Sequence, residues 1–308
     1  MLSSLTDPPR DDALTATKPG DRRLAGSCAH QIIAVSASRF AILPRPAHRG
    51  HMNQSYDVVV VGGGAAGLAG AVALARSRRS VLVIDSGEPR NAPASHVHNF
   101  LSRDGTPPAQ LYTAGREEVT RYGGTVVTGR VTALSRDGDH FLVQLDRRAV
   151  TARRLLVATG LRDELPEVPG LAARWGIDVL HCPYCHGWEV RDQRIGILAT
   201  GPAAAHQALL FRQLSPNVTV LRHTGPEVSP DQQGQVIGTQ IEAGPTGATG
   251  VPGVWVAGNI ASMQAQVISA AAAGLTAGAA INADLAAADA RGAAGLRYRT
   301  KAASLTRS

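Results

Sequence analysis

Tyr56-Asp57-Val58-Val59-Val60-Val61 runs straight into Gly62-Gly63-Gly64-Ala65-Ala66-Gly67, and no other junction constrains the fold of this chain as strongly. Four consecutive valines suit a strand buried on both faces. The glycines allow a tight turn, and the small residues of Ala65–Ser77 read as a helix. A second apolar run, Ser80–Asp85, completes strand, turn, helix and strand, ending in an acid. Parallel neighbouring strands need a crossover helix, so this βαβ pattern commits the chain to an α/β fold.

Downstream, residues 108–121 read as a helix, with Pro108 at its start and Tyr112 and Val119 on its apolar face. Short strands follow near Thr125–Val131 and Phe141–Leu145, and Asp137-Gly138-Asp139 signals a hairpin between them. Arg154–Ala158 is another strand, running into Thr159-Gly160. Beyond the Pro-rich connector Leu165–Gly170, a second βαβ unit is expected: strand Arg194–Ala199, helix Ala203–Leu214 and strand Asn217–Leu221. At most one more strand, around Gln235–Ile241, fits within residues 222–250. Gly253–Asn259 reads as a strand entering a long Ala-rich helix, whose Gly274 and Gly278 predict close packing against another element.

The 308 residues carry a net charge of +7, which suggests a nucleic-acid partner until the charge is located. Residues 1–51 hold +3 and residues 291–308 hold +5, leaving −1 for the body of the chain. Basicity confined to the two ends argues against nucleic acid. No apolar run was expected to reach the roughly 18 residues that span a bilayer, so no membrane partner is expected. Only three cysteines occur, which excludes a disulfide-scaffolded secreted chain. Residues 1–51 lack the pattern of a secretory signal, and their four Asp argue against a transit peptide. They read as a disordered extension, or as the product of a misplaced start with Met52 as the natural one. A cytoplasmic location is the expectation.

Gly62, Gly64 and Gly67 fit G-x-G-x-x-G in its confirming context, with a strand before, a helix after and Asp85 placed to accept ribose hydroxyls. Gly62 permits the turn, Gly64 lets backbone approach a pyrophosphate, and Gly67 lets the helix sit close to the strand. Ala65 opens the helix whose free N–H groups would face the phosphates. The second unit is a poorer copy. Its turn, Ala199-Thr200-Gly201-Pro202-Ala203-Ala204, puts Pro where a phosphate site wants an N–H.

Cys182-Pro183-Tyr184-Cys185-His186 admits three chemistries: disulfide exchange, haem attachment, or half of a zinc site. Haem attachment would leave the dinucleotide motif without a role. Zinc would need two more ligands, and His206 and His223 follow at spacings matching no common finger. A redox dithiol beside a dinucleotide cofactor gives both motifs a purpose, with His181 and His186 placed to lower a thiol pKa or carry its proton.

These motifs together resemble the low-molecular-weight thioredoxin reductase family of FAD-dependent pyridine nucleotide-disulfide oxidoreductases. The resemblance rests on the N-terminal glycine motif, on Ala158-Thr159-Gly160, on the late C-x-x-C, and on the return through Val251–Asn259. It implies a discontinuous Rossmann-like FAD-binding domain with an inserted, truncated second Rossmann-like domain of NAD(P) type. The implied boundaries are 52–165 and 250–290 for the FAD domain, 166–249 for the insert, and 291–308 for a basic tail. FAD would be held by Gly62, Gly64, Ala65, Gly67 and Asp85, with Ala158, Thr159, Gly160, Gly258, Asn259 and Gln266 closing around it. Cys185 would lie against the flavin and Cys182 would exchange with substrate. His186 stands where the family usually has an acid, and Asn259 where it usually has Asp. The string His181–Gly187 is similar to a sub-branch that includes gliotoxin-type dithiol oxidases.

The resemblance implies a homodimer in which NAD(P)H reduces FAD, FAD reduces the cysteine pair, and Cys182 attacks a small thioredoxin-like protein disulfide. The oxidase sub-branch implies the reverse: a small-molecule dithiol is oxidised and oxygen takes the electrons without NADPH. The short second unit favours that direction, and also raises a third reading, an inactive flavin-binding remnant.

Overall fold

The computed structural model describes residues 54–146, 148–201, 203–223 and 240–305, with side chains to residue 293. The extension expected over residues 1–51, Pro202, and all but the last two residues of the strand expected near Gln235–Ile241 lie outside the described residues.

Strand β1 (Ser55–Val61) sits between β2 (Val81–Asp85) and β6 (Ala149–Val157), parallel to both. Helix α1 (Ala65–Arg76) makes the β1–β2 crossover. The seven-stranded sheet runs β3 (Thr125–Thr128), β2, β1, β6, β5 (His140–Leu145), β4 (Val131–Asp137). The far edge of β6 is shared: its first half pairs with β5, antiparallel, and its second half with β9 (Val254–Val256), parallel. Helix α2 spans Pro108–Arg121, as expected from its pattern.

Alternation along the central strands divides the interior into two cores. Val58, Val60, Val83 and Leu156 pack under α1 and α5 (Val267–Leu305), while Val59, Val61, Leu82 and Leu155 face Phe141, Val143 and Ile260. Each of these fully buried aliphatics contributes about 1.5–3 kcal/mol relative to exposure, which is why the valine run is so firm a predictor.

The helix pair α1·α5 shows what the glycines of the Ala-rich helix are for. A Cβ on Gly274 would lie 1.9 Å from the Ala66 carbonyl oxygen, and one on Gly278 would lie 2.7 Å from that of Gly70. Backbone packs against backbone here. Ion pairs pin the next turns: Asp289 pairs with both Arg79 and Arg153, and Asp284 with Arg154.

Four expectations are corrected. The strand read over Thr125–Val131 is two: β3 pairs with β2, and the chain then breaks so that β4 can form the Asp137-Gly138-Asp139 hairpin with β5. Gly253–Asn259 does not enter the long helix directly, because a 3-10 turn at Gly258–Ile260 and a short loop intervene before Val267. The helix continues past residue 290 to Leu305, through most of the stretch read as a tail. Finally, Val267–Ala293 is long and apolar enough to cross a membrane by length and composition, with a mean hydropathy of 1.2, because its glycines barely dilute its alanines. Its buried residues Ala270, Ala277, Ile281 and Leu285 belong to the core shared with α1.

The second βαβ unit forms as read, from β7 (Ile195–Ala199), α4 (Ala203–Arg212) and β8 (Val218–Arg222). Ile197, Ala199, Ala204 and Phe211 make its small core. Among the described residues β7 pairs with β8 alone, and Leu209, Val220 and Leu221 are exposed.

Candidate active site

One cavity of about 650 Å³ gathers residues from the first βαβ unit, from the segment that carries the dithiol, and from the Ala257–Ala270 stretch. Its wall begins at the end of β1. Gly62 turns there with φ +106°, and a Cβ on it would meet the Ala158 carbonyl oxygen at 2.4 Å. Gly67 stands behind the wall, where a Cβ would lie 1.9 Å from the Gly62 carbonyl oxygen, so its task is packing. A Cβ on Gly64, by contrast, would meet nothing within 4 Å. Gly64 is also the N-cap of α1, and no side chain caps that end, which leaves the first-turn N–H groups for a ligand.

Asp85, at the end of β2, lines the cavity, accepts from the Gly63 N–H at 3.2 Å, and pairs with Arg116 at 3.2 Å. Ala158, Thr159, Gly160, Gly258, Asn259 and Gln266 line the same cavity. Asn259 carries a structural reason for departing from Asp. Its amide nitrogen donates to the carbonyls of Ser262, Met263 and Ala265, at 3.2, 3.2 and 2.9 Å, and a carboxylate could donate to none of them. Asn259 thus organises the loop leading into α5.

The dithiol sits on α3 (Pro183–His186), a single turn. Pro183 at its start supplies a preset φ, and Cys182 is the N-cap, so the two sulfurs fall one turn apart on one face. Both cysteines are free thiols and line the cavity with His181 and His186. They are unequal. The Cys185 thiol donates to the Cys182 sulfur and, against the opposing effect of burial, brings the Cys182 pKa down to about 7. The backbone N–H groups of Cys185 and Tyr184 and the charge of Arg90 add to this. The same bond, with burial and the neighbouring charge, pushes the Cys185 thiol up. Of the two thiols, Cys182 is thus the one that loses its proton more readily and Cys185 the one that keeps it. Both ring nitrogens of His186 are buried without a hydrogen-bond partner among the described residues, and that burial lowers its pKa, which favours the neutral imidazole.

Several lining residues escaped the sequence reading. Arg90 makes a two-point ion pair with Asp163, at 2.7 and 2.6 Å, beside the cysteines. His96 and His98 stand 6.1 Å apart by ring centroids on the cavity wall. They lie in loops without a motif spacing, so nothing local marked them.

A glycine cradle and an unequal cysteine pair on one cavity match a known pattern. Residues 56–230 match the family model for pyridine nucleotide-disulphide oxidoreductases. The chain belongs to this family. Among its relatives, a probable thioredoxin reductase of Arthroderma benhamiae is 37% identical over 161 residues, covering 50% of this chain and 38% of the relative. The thioredoxin reductase aclD of Aspergillus oryzae is 35% identical over 185 residues, covering 56% and 59%. The chain thus spans well under two thirds of either curated relative. The crystal structure of HlmI superposes with a TM-score of 0.71 at 38% identity, over 82% of this chain and 98% of that one.

FAD is the cofactor of this family, and the cavity suits it. The space over Gly64, the uncapped α1 N-terminus and the acid at Asp85 are the three features that a dinucleotide requires. An expected outcome follows for Gly64→Ala. Its φ of −79° accepts alanine, so the melting temperature should stay within the shift that ~0.5 kcal/mol produces. FAD affinity should fall at least about tenfold, because the new methyl occupies the pyrophosphate approach. Flavin fluorescence titration reads the affinity, and unchanged affinity would take the cofactor away from Gly64.

Proposed function

We propose that this chain is an FAD-dependent, thioredoxin-reductase-like oxidoreductase that exchanges electrons with a disulfide or dithiol partner through Cys182 and Cys185. The observation that carries this reading is the unequal thiol pair on the wall of the cavity that holds the glycine cradle. FAD, held by the Gly62–Ala66 turn, Asp85 and the Ala158–Gly160 and Gly258–Gln266 segments, would supply a two-electron donor or acceptor.

The residues of the chain do the thiol chemistry. The Cys182 thiolate attacks one sulfur of the partner disulfide, the partner's S–S bond breaks, and a mixed disulfide forms while the released thiolate takes a proton. Cys185 then loses its proton and attacks the Cys182 sulfur of the mixed disulfide, the bond from Cys182 to the partner sulfur breaks, and the released partner thiolate takes up the proton that Cys185 gave up. The protein pair has lost two electrons and become Cys182–Cys185, and the partner has gained them. Run backwards, the same steps oxidise a dithiol.

One observation favours the backward direction with a small-molecule dithiol, and with oxygen as final acceptor. A nucleotide crevice in a doubly wound sheet forms where strand order reverses, which takes a strand on each side of the first one. Among the described residues β7 has a partner on one side alone.

The test uses the FAD-loaded full chain in two assays: NADPH oxidation with a thioredoxin-like protein disulfide, and oxygen uptake with a small dithiol. NADPH turnover supports the reductase direction. Dithiol-dependent oxygen uptake without NADPH supports the oxidase. Failure of both, with no yellow flavin retained, overturns the proposal in favour of an inactive remnant.

A further inference from the structure

Tyr112 has a ring and a hydroxyl with separate tasks. The ring belongs to the core beneath α1, with Val119 from the same helix. Packing alone would be met by phenylalanine there. The hydroxyl reaches the cavity wall and donates to Asn91 Oδ1 at 3.0 Å. Tyr112 is 7% exposed, so its O–H needs an acceptor within the protein, and among the described residues the Asn91 oxygen is the one it has. Burial raises the phenol's pKa, and the Asp85 charge adds to this against the bond to Asn91, so the group stays a donor at neutral pH.

That bond settles which way round the Asn91 amide lies. An asparagine side chain ends in one acceptor oxygen and one NH₂ donor. With Oδ1 taken by the phenol, the other end is Nδ2, which has no hydrogen bond among the described residues, on a side chain that lines the cavity. The backbone beneath is held as well: Ala92 N–H donates to the Pro89 carbonyl at 2.9 Å, and Ala94 N–H to that of Asn91 at 3.1 Å. The reach from α2 is repeated one turn later. Arg116, four residues after Tyr112, pairs with Asp85 Oδ2 at 3.2 Å. One face of α2 thus fixes two polar groups of the cavity, the Asp85 carboxylate as an acceptor and the Asn91 amide as a donor.

We propose that Asn91 is a cofactor-binding residue that donates from Nδ2 to an acceptor atom of FAD, and that Tyr112 is the positioning residue that keeps the amide in that orientation. A dinucleotide carries acceptor oxygens on its phosphates, its ribityl chain and its flavin ring, and an amide fixed this way serves them as a donor. Without the phenol the amide is free to turn over and set oxygen against oxygen. Tyr112 therefore acts through Asn91. The inference rests on FAD as the occupant of the cavity, and is independent of the direction in which electrons cross the cysteines.

The test is the rate at which the FAD-loaded full chain releases flavin on dilution, followed as the recovery of free-flavin fluorescence, in a double-mutant cycle. Asn91→Ala should release FAD about three- to tenfold faster, the loss of one net hydrogen bond. Tyr112→Phe keeps the ring in the core and should speed release about two- to fivefold, since a freed amide is correctly turned for only a fraction of the time. In the double variant the phenylalanine should add nothing to the alanine, because no amide is left to orient. That variant should melt close to wild type, both partners of the buried bond having gone together. Wild-type release from Asn91→Ala overturns the cofactor contact. Effects that multiply in the double variant overturn the positioning role, because a purely structural tyrosine acts whether or not the amide is present. A wild type that holds FAD yet fails both assays of the proposed function sinks that function and leaves Asn91 and Tyr112 in their roles.

Discussion

Replacing Cys185 with alanine is expected to abolish thiol-dependent reduction of the bound flavin, by at least about a thousandfold, while FAD stays bound. Residues that act as one unit lose most of their joint rate when either is removed, which sets that scale. Binding survives because the cofactor cradle is built from Gly62–Ala66 and Asp85, on elements separate from α3. The same variant has a second readout. The Cys185 thiol is the largest cause holding Cys182 down to about 7, so its loss should move the alkylation midpoint of Cys182 upward, toward the ordinary thiol value of about 8.5. The sign follows from which form the bond favours: a donor to sulfur stabilises the thiolate, and removing it favours the thiol. At pH 7 the variant is therefore the slower nucleophile. Flavin bleaching on addition of a dithiol, at anything near the wild-type rate, would strip Cys185 of its role. A midpoint still at 7 would show that another group activates Cys182.

The second large effect is structural. Gly274→Ala should destabilise the chain by about 1–3 kcal/mol, the range for overpacking a tight contact, and lower its melting temperature by several degrees. The added Cβ meets the Ala66 carbonyl oxygen at 1.9 Å, its carbon at 2.7 Å and its Cα at 2.9 Å. All three are backbone atoms, so no rotamer change can make room and α5 must move off α1. Alanine's better helix propensity offsets about 1 kcal/mol of this and does not reverse it. Ala66 also lines the cavity, so cofactor retention should weaken with the same substitution. Gly292→Ala is the matched control. Nothing lies within 4 Å of its Cβ, so the melting temperature should hold or rise. Equal behaviour of the two variants in thermal melts would contradict the close packing of α1 on α5.

Much of the frame was legible because it rests on local rules. Val58–Val61 can only be a strand buried on both sides, and the glycines after it can only be a turn into a helix. Helix α2 showed its limits through Pro108 and the spacing of Tyr112 and Val119. The break between β3 and β4 was not legible, because Thr125–Val131 has one uninterrupted strand-like composition and only pairing partners divide it. The membrane-length helix was misjudged for a related reason: glycines interrupt a pattern to the eye, yet lower hydropathy little. Among the residues lining the cavity, those in motifs could be named in advance, while Arg90, Asp163, His96 and His98 could not. Each lies in a loop whose path depends on distant contacts, and a loop residue carries no period from which its direction can be read.

The sequence by itself determined the α/β class, the glycine cradle with its acid, and the presence of a dithiol beside it. These follow from backbone sterics and from the chemistry of single residues, which operate over a few positions. Only the tertiary structure decided that Gly274 serves α1, that Asn259 donates to three carbonyls, and that the Cys182 and Cys185 thiols are shifted in opposite directions. A thiol's acidity depends on which donors and how much solvent surround it, and those come together from loops and helices far apart in the chain.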